Sequence, residues 1–349
     1  MTKEEKIKSF DPGNVGQQNG KLFGLPFDET DCPLVIIPVP WDATVSYGDG
    51  THNGPKAILE ASPQLDFYDT DNPDAWKVGF FLQPINHVIE TTNESLRSKA
   101  ADYIRHLEKG GNAEKFKEAV AEVNTGCSWV RNYVHDVAHQ LLEQGKMVAL
   151  LGGDHSTPFG LYKALGEKYP SFGILQIDAH ADLRKAYEGF EYSHASIFYN
   201  TISIPQVTKL IQIGIRDQSA EEAALAESNN KIVQFTNEQI MQKVFQGKTW
   251  DSVCDDIISQ LPDLVHLSFD IDGLDPRYCP NTGTPVPGGL EFDQAVYLFR
   301  KLVKSGKRII GFDLCEVAPG ENEWDANVGA RLLWKLCSLT ALSNNNFKK

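Results

Sequence analysis

No stretch of about 18 apolar residues occurs in the chain, so no membrane-spanning helix is expected. The first ten residues, MTKEEKIKSF, carry charge but no apolar run, and no signal peptide is expected there. Basic residues are in deficit: 33 Lys and Arg stand against 47 Asp and Glu, a net charge of −14. Such a surface repels nucleic-acid phosphates, so DNA and RNA are not expected partners; it mildly suits metal ions or a cationic substrate. Cysteines are few and scattered: Cys32, Cys127, Cys254, Cys279, Cys315 and Cys337, with no C-x-x-C pair. They read as reduced thiols of a cytoplasmic protein, not as a disulfide framework. Internal repeats and low-complexity tracts are also absent.

The 349 residues, 41% hydrophobic, suffice for a large core. Short apolar runs recur between turn residues: Leu34–Val39, Met147–Leu151, Gly173–Ile177, Lys209–Ile215, Lys231–Phe235, Leu264–Phe269 and Arg308–Phe312. Between most of them lie stretches with helical periodicity, among them Ser128–Gln144, Pro158–Lys168, Glu221–Glu227, Thr249–Gln260 and Phe292–Lys304. This alternation predicts an α/β fold with a mostly parallel central sheet and helices on both faces. Residues 1–30 read as an N-terminal extension that wraps over the surface or a neighbouring subunit. Residues 31–349 read as a single domain, with a charged helical insertion at about 91–123.

Chemistry gathers where the apolar runs end. MVALL is followed by GGDHS with His155, and GILQI by DAHAD with Asp178, His180 and Asp182. LVHLSF is followed by DIDGLDP with Asp270 and Asp272, and RIIGF by DLCEVAP with Glu316. In open α/β sheets, ligands bind at the carboxyl ends of the strands. Alternate residues of a strand share a side and lie about 7 Å apart, so Asp178, His180 and Asp182 can face one space. A lone D-x-H is more simply a helix cap. Three such groups converging without a cation would be costly to desolvate. Six mostly carboxylate ligands suit two divalent ions about 3.5–4 Å apart, with a shared water between them.

GGDHS, DAHAD and SFDIDGLDP resemble the metal-binding signatures of the ureohydrolase family of arginases and agmatinases, in the family's order, from about Leu34 to Leu339. The resemblance implies a three-layer αβα arginase-type fold, a hydrolase acting on C–N bonds of linear amidines, and a homotrimer or homohexamer. It implies one ion on His155, Asp178, Asp182 and Asp270 and a second on Asp178, His180, Asp270 and Asp272, with Asp178 and Asp270 bridging. It further implies His194 as proton shuttle and Glu316 as the acid that pairs with the substrate guanidinium. Manganese is the family's default metal, and nickel is implied for part of this branch.

The stretch LRKAYEGFEYSHAS lacks the Asn- and Ser-bearing loop of arginases and resembles the agmatinase branch. PWDATVSYG and GENEWDANVGARLL resemble agmatinase-like bacterial guanidine hydrolases, and Trp324 stands close enough after Glu316 to lid a short pocket. Free guanidine is therefore the first expected substrate, with agmatine or another guanidino compound as the alternative and urea as product. A zinc deacetylase of the same fold and a non-catalytic partner subunit are more distant readings; the complete ligand set argues against the second. HDVAH (135–139) resembles a zinc helix, but an exposed amphipathic helix explains it. GDGTHNG (48–54) lacks the Lys of a phosphate loop and reads as a turn near the entrance. His52 receives no role, and His266 reads as structural.

Overall fold

The computed structural model describes residues 1–347. Eight strands form one sheet: β1 (Leu34–Val39), β2 (Phe80–Leu82), β3 (Met147–Gly152), β4 (Phe172–Ile177), β5 (Val207–Ile213), β6 (Ile232–Phe235), β7 (Leu264–Asp270) and β8 (Arg308–Cys315). Their order is β2-β1-β3-β8-β7-β4-β5-β6, and every pairing is parallel. The expected mostly parallel α/β fold is thus present, with one strand the apolar runs did not indicate. β2 is a three-residue edge strand, Phe80–Leu82, entered through Gly79 at φ 79°, a conformation that favours glycine.

Alternation along the strands divides the core in two. In β1, Leu34 and Ile36 pack on one side of the sheet, and Val35, Ile37 and Val39 on the other. In β4, Leu175 and Ile177 join the first side and Phe172 and Ile174 the second. Strands buried on both faces read as unbroken apolar runs, which is why their sequences show little polar alternation. Helices Gly54–Ala61, Phe292–Lys304 and Trp324–Ser343 cover the first side, and Lys117–Glu143 and Phe159–Lys168 the second. Each fully buried Leu, Ile or Phe contributes roughly 1.5–3 kcal/mol.

Segment 91–123 lies on helix His87–Glu108, a 3₁₀ turn at Ala113–Phe116 and the start of Lys117–Glu143. One face of the first helix buries Ile89, Leu96, Ala100, Tyr103 and Ile104. Its Asn93 bonds Asp42 through both amide atoms, at 2.8 Å each, and so ties this segment to the loop after β1. The N-terminal residues form helix Lys3–Ser9, and then Leu22, Phe23, Leu25 and Phe27 enter the core. No helix among the described residues is long and apolar enough to cross a membrane. All six cysteines are unpaired and buried.

The sheet order fixes where the chemistry falls. After β3 the chain crosses to β4 on the far side of β8 and β7, then returns to fill the gap. β3, β8, β7 and β4 are consecutive neighbours, and their carboxyl ends deliver His155, Glu316, Asp270 with Asp272, and Asp178 with His180 and Asp182.

Candidate metal centre

Asp178 is the first residue beyond β4, and its two carboxylate oxygens look in different directions. Oδ1 accepts the His180 amide at 2.6 Å; Oδ2 accepts Gln176 Nε2 at 2.8 Å and lies 2.9 Å from His155 Nδ1. His155 Nδ1 is also 3.1 Å from Asp182 Oδ2 and 3.4 Å from Asp270 Oδ2. Although three carboxylates surround it, this buried nitrogen makes no hydrogen bond among the described residues. On the other side His180 Nδ1 is 3.0 Å from Asp272 Oδ2 and 3.7 Å from Asp178 Oδ1. Two trios therefore offer converging donor atoms, His155–Asp178–Asp270 and Asp178–His180–Asp272, with Asp178 common to both. Asp182 stands beside His155, outside either trio.

Local backbone geometry holds these groups. Asp270 caps the turn Ile271–Gly273 by accepting the Asp272 amide at 2.9 Å, and Asp272 accepts the Ala179 amide at 3.0 Å. Asp182 has φ 53° and Glu316 φ 63°, both in the left-handed region, where non-glycine residues are strained. Glu316 Oε1 accepts the His155 amide at 2.9 Å, which links the ends of β8 and β3.

The electrostatics suit a cation. Burial, the Asp178 charge beside it and the Glu316 field raise the acids unevenly: Asp182 is pushed up to about 7 by burial and Asp178. Asp270 rises well above the carboxylate range through burial, Asp272 and Asp178, and Glu316 through burial and Asp154. Such crowding of carboxylates around an orphaned imidazole nitrogen fits a pair of divalent ions.

A cavity of about 170 Å³ opens beside the cluster. Its lining includes His180, Asp182, Tyr187, His194, Asp217 and Thr284. His194 sits on a 3₁₀ turn after the loop that follows DAHAD, with its ring edge-on to Tyr187 and its buried Nδ1 without a partner among the described residues. Burial, then the positive charges of His180 and Arg97, lower its pKa to about 3, so it is neutral at physiological pH. Glu316 is 6% exposed and is not among the lining residues. Trp324 is 47% exposed, donates its indole N–H to the Arg277 carbonyl at 2.9 Å and does not line the cavity either.

The remaining motifs have structural roles. His135 and His139 of HDVAH lie on helix Lys117–Glu143, and both bond the Glu167 carboxylate, at 2.9 and 3.0 Å. In GDGTHNG, Gly48 lies against Gly283 so closely that a Cβ would come within 2.8 Å of its carbonyl oxygen. Gln176, Tyr187, Asp217 and Glu222 were missed by sequence reasoning; a glutamine inside the apolar strand GILQI was the one local signal.

The arginase family model matches residues 32–338. The chain belongs to the arginase family. This family member is 33% identical to an N(1)-aminopropylagmatine ureohydrolase of Synechocystis, over 83% of this chain and 82% of the relative. It is 29% identical to an agmatinase of Cronobacter sakazakii, over 86% of this chain and 84% of that one. Its fold resembles the crystal structure of an agmatine ureohydrolase of Thermoplasma volcanium, with a TM-score of 0.70 at 21% identity, covering 98% of this chain and 99% of that one. An arginase-family ureohydrolase of the agmatinase-like branch acts on amidino C–N bonds, and the cluster at the strand ends can hold the metal that this binuclear family requires.

Proposed function

We propose that this ureohydrolase releases urea from a guanidino amine of the agmatine type. The observation that carries the reading is the cavity itself. Its lining carries three carboxylates, Asp182, Asp217 and Glu222, against one guanidinium, Arg184, which lies 3.6 Å from Glu222. A second positive charge on the substrate suits that acid-rich lining better than a distal carboxylate, as in arginine or 4-guanidinobutyrate. The lid that argued for free guanidine, Trp324, is not part of the lining, so guanidine becomes the second reading. The relatives' names agree with the amine reading.

In this proposal His155, Asp178, His180, Asp182, Asp270 and Asp272 hold two divalent ions, manganese or nickel, which when bound activate water for attack on the guanidinium carbon. Asp178, whose two oxygens face the two trios, would serve both ions, and Asp270 would join it. Glu316, whose ionised form bound cations would favour, would then pair with a planar cation. His194, an imidazole in the cavity wall, would carry a proton to the leaving nitrogen. The products are urea and the amine.

Urea release from agmatine, guanidine, 4-guanidinobutyrate and arginine tests the proposal. Agmatine is the expected substrate, and Asp217→Asn raises its KM while leaving any guanidine turnover unchanged. Turnover of guanidine with none of agmatine would overturn the amine reading.

A further inference from the structure

Behind His155 runs a line of buried polar groups that the proposed reaction does not use. His155 Nε2 is 2.9 Å from Ser268 Oγ, and Ser268 donates to Asp313 Oδ1 at 2.9 Å. Asp313 Oδ2 receives the Tyr162 hydroxyl at 2.8 Å and His266 Nε2 at 2.7 Å. Each of these side chains is at most 1% exposed. Ser268 and Asp313 are register partners on β7 and β8, and Tyr162 comes from helix Phe159–Lys168. A buried carboxylate needs its donors, and Asp313 has these three, with the Cys315 thiol a weaker fourth at 4.0 Å.

The direction of the line follows from the donor count. A serine hydroxyl has one proton, and Asp313 takes it. Ser268 Oγ can then only accept from His155, whether or not Tyr162, 2.9 Å away, also donates to it. The proton of neutral His155 is thereby held on Nε2, and the Nδ1 lone pair is left facing Asp178 and Asp270. Ligating histidines are commonly oriented by an outer carboxylate in this way; here the hydroxyl of Ser268 is interposed.

We propose that Asp313, acting through Ser268, is a positioning residue that fixes the tautomer and ring orientation of His155. It thereby sets the affinity of the ion held by His155, Asp178 and Asp270, and not of the ion held by Asp178, His180 and Asp272. The proposal rests on the two-ion reading above.

Titration of the metal-free full-length protein with Mn²⁺ against a competing chelator tests it. The wild type should show two sites. Ser268→Ala and Asp313→Asn should weaken one site about 10–100-fold and leave the other unchanged. Ser268→Thr, which keeps the hydroxyl, and Tyr162→Phe, which keeps the Asp–Ser–His line, should bind both ions as the wild type does. Retention of both sites at full affinity in Ser268→Ala and Asp313→Asn would overturn the proposal. So would equal loss of both sites with a lowered melting temperature of the metal-free protein, the mark of a merely structural role. Fewer than two ions in the wild type would instead overturn the two-ion reading beneath it.

Discussion

Asp178 concentrates the chemistry in one side chain, because its two oxygens belong to two different trios. Asp178→Ala should therefore remove both ions together and abolish urea release, whereas Asp272→Ala should first weaken the ion shared with His180; metal content after gel filtration distinguishes them. His194 belongs to neither trio. His194→Asn should lower kcat by about 10²–10⁴-fold with two ions still bound. At His52 the hydrogen bond that Nδ1 donates to Asp42 Oδ2, at 2.6 Å, raises the pKa against the opposing effect of burial. The folded value exceeds the unfolded one of roughly 6.5, so this pair's stabilisation is fully present below the unfolded value. It is lost as pH rises through the raised folded value. Thermal melts across that range should show the loss, and His52→Gln should flatten it. The residues of the two trios were legible as a converging set because D-x-H and D-x-D motifs interrupt apolar runs. Asp313 and Tyr162 were not, because 151 residues separate them and nothing local announces that they meet.

Strand ends and the loops between them set the precision of the site. Gly153 of GGDHS lies so close to the loop after β1 that a Cβ would meet the Trp41 carbonyl oxygen at 2.0 Å. Gly153→Ala should push these two segments apart, cost about 1–3 kcal/mol and reduce metal affinity by displacing His155; thermal melts and metal titration check both. The buried strands were readable as elements because both faces of a parallel sheet are apolar. Phe80–Leu82 was not, since three residues are too few for a periodicity to show. The two histidines of HDVAH have the i, i+4 spacing of a ligand pair, and only the neighbouring helix, with Glu167, reveals a surface hydrogen-bond cluster.

On the scale of the whole molecule, four adjacent strands bring acids from residues 154 to 316 into one buried space. Mutual repulsion there opposes folding unless cations are present. Chelation should lower the melting temperature and readdition of metal should restore it, with about 2.7 kcal/mol gained when free metal is 100 times its dissociation constant. The strand order that makes this convergence possible was only partly legible: alternation of strands and helices indicates a parallel sheet, but not that β7 and β8 insert between β3 and β4. Anomalous diffraction from crystals grown with Mn²⁺ tests the central claim most directly. Two peaks about 3.5–4 Å apart, both within coordination distance of Asp178, are the predicted result. A single peak, or a pair that shares no carboxylate, would contradict the account.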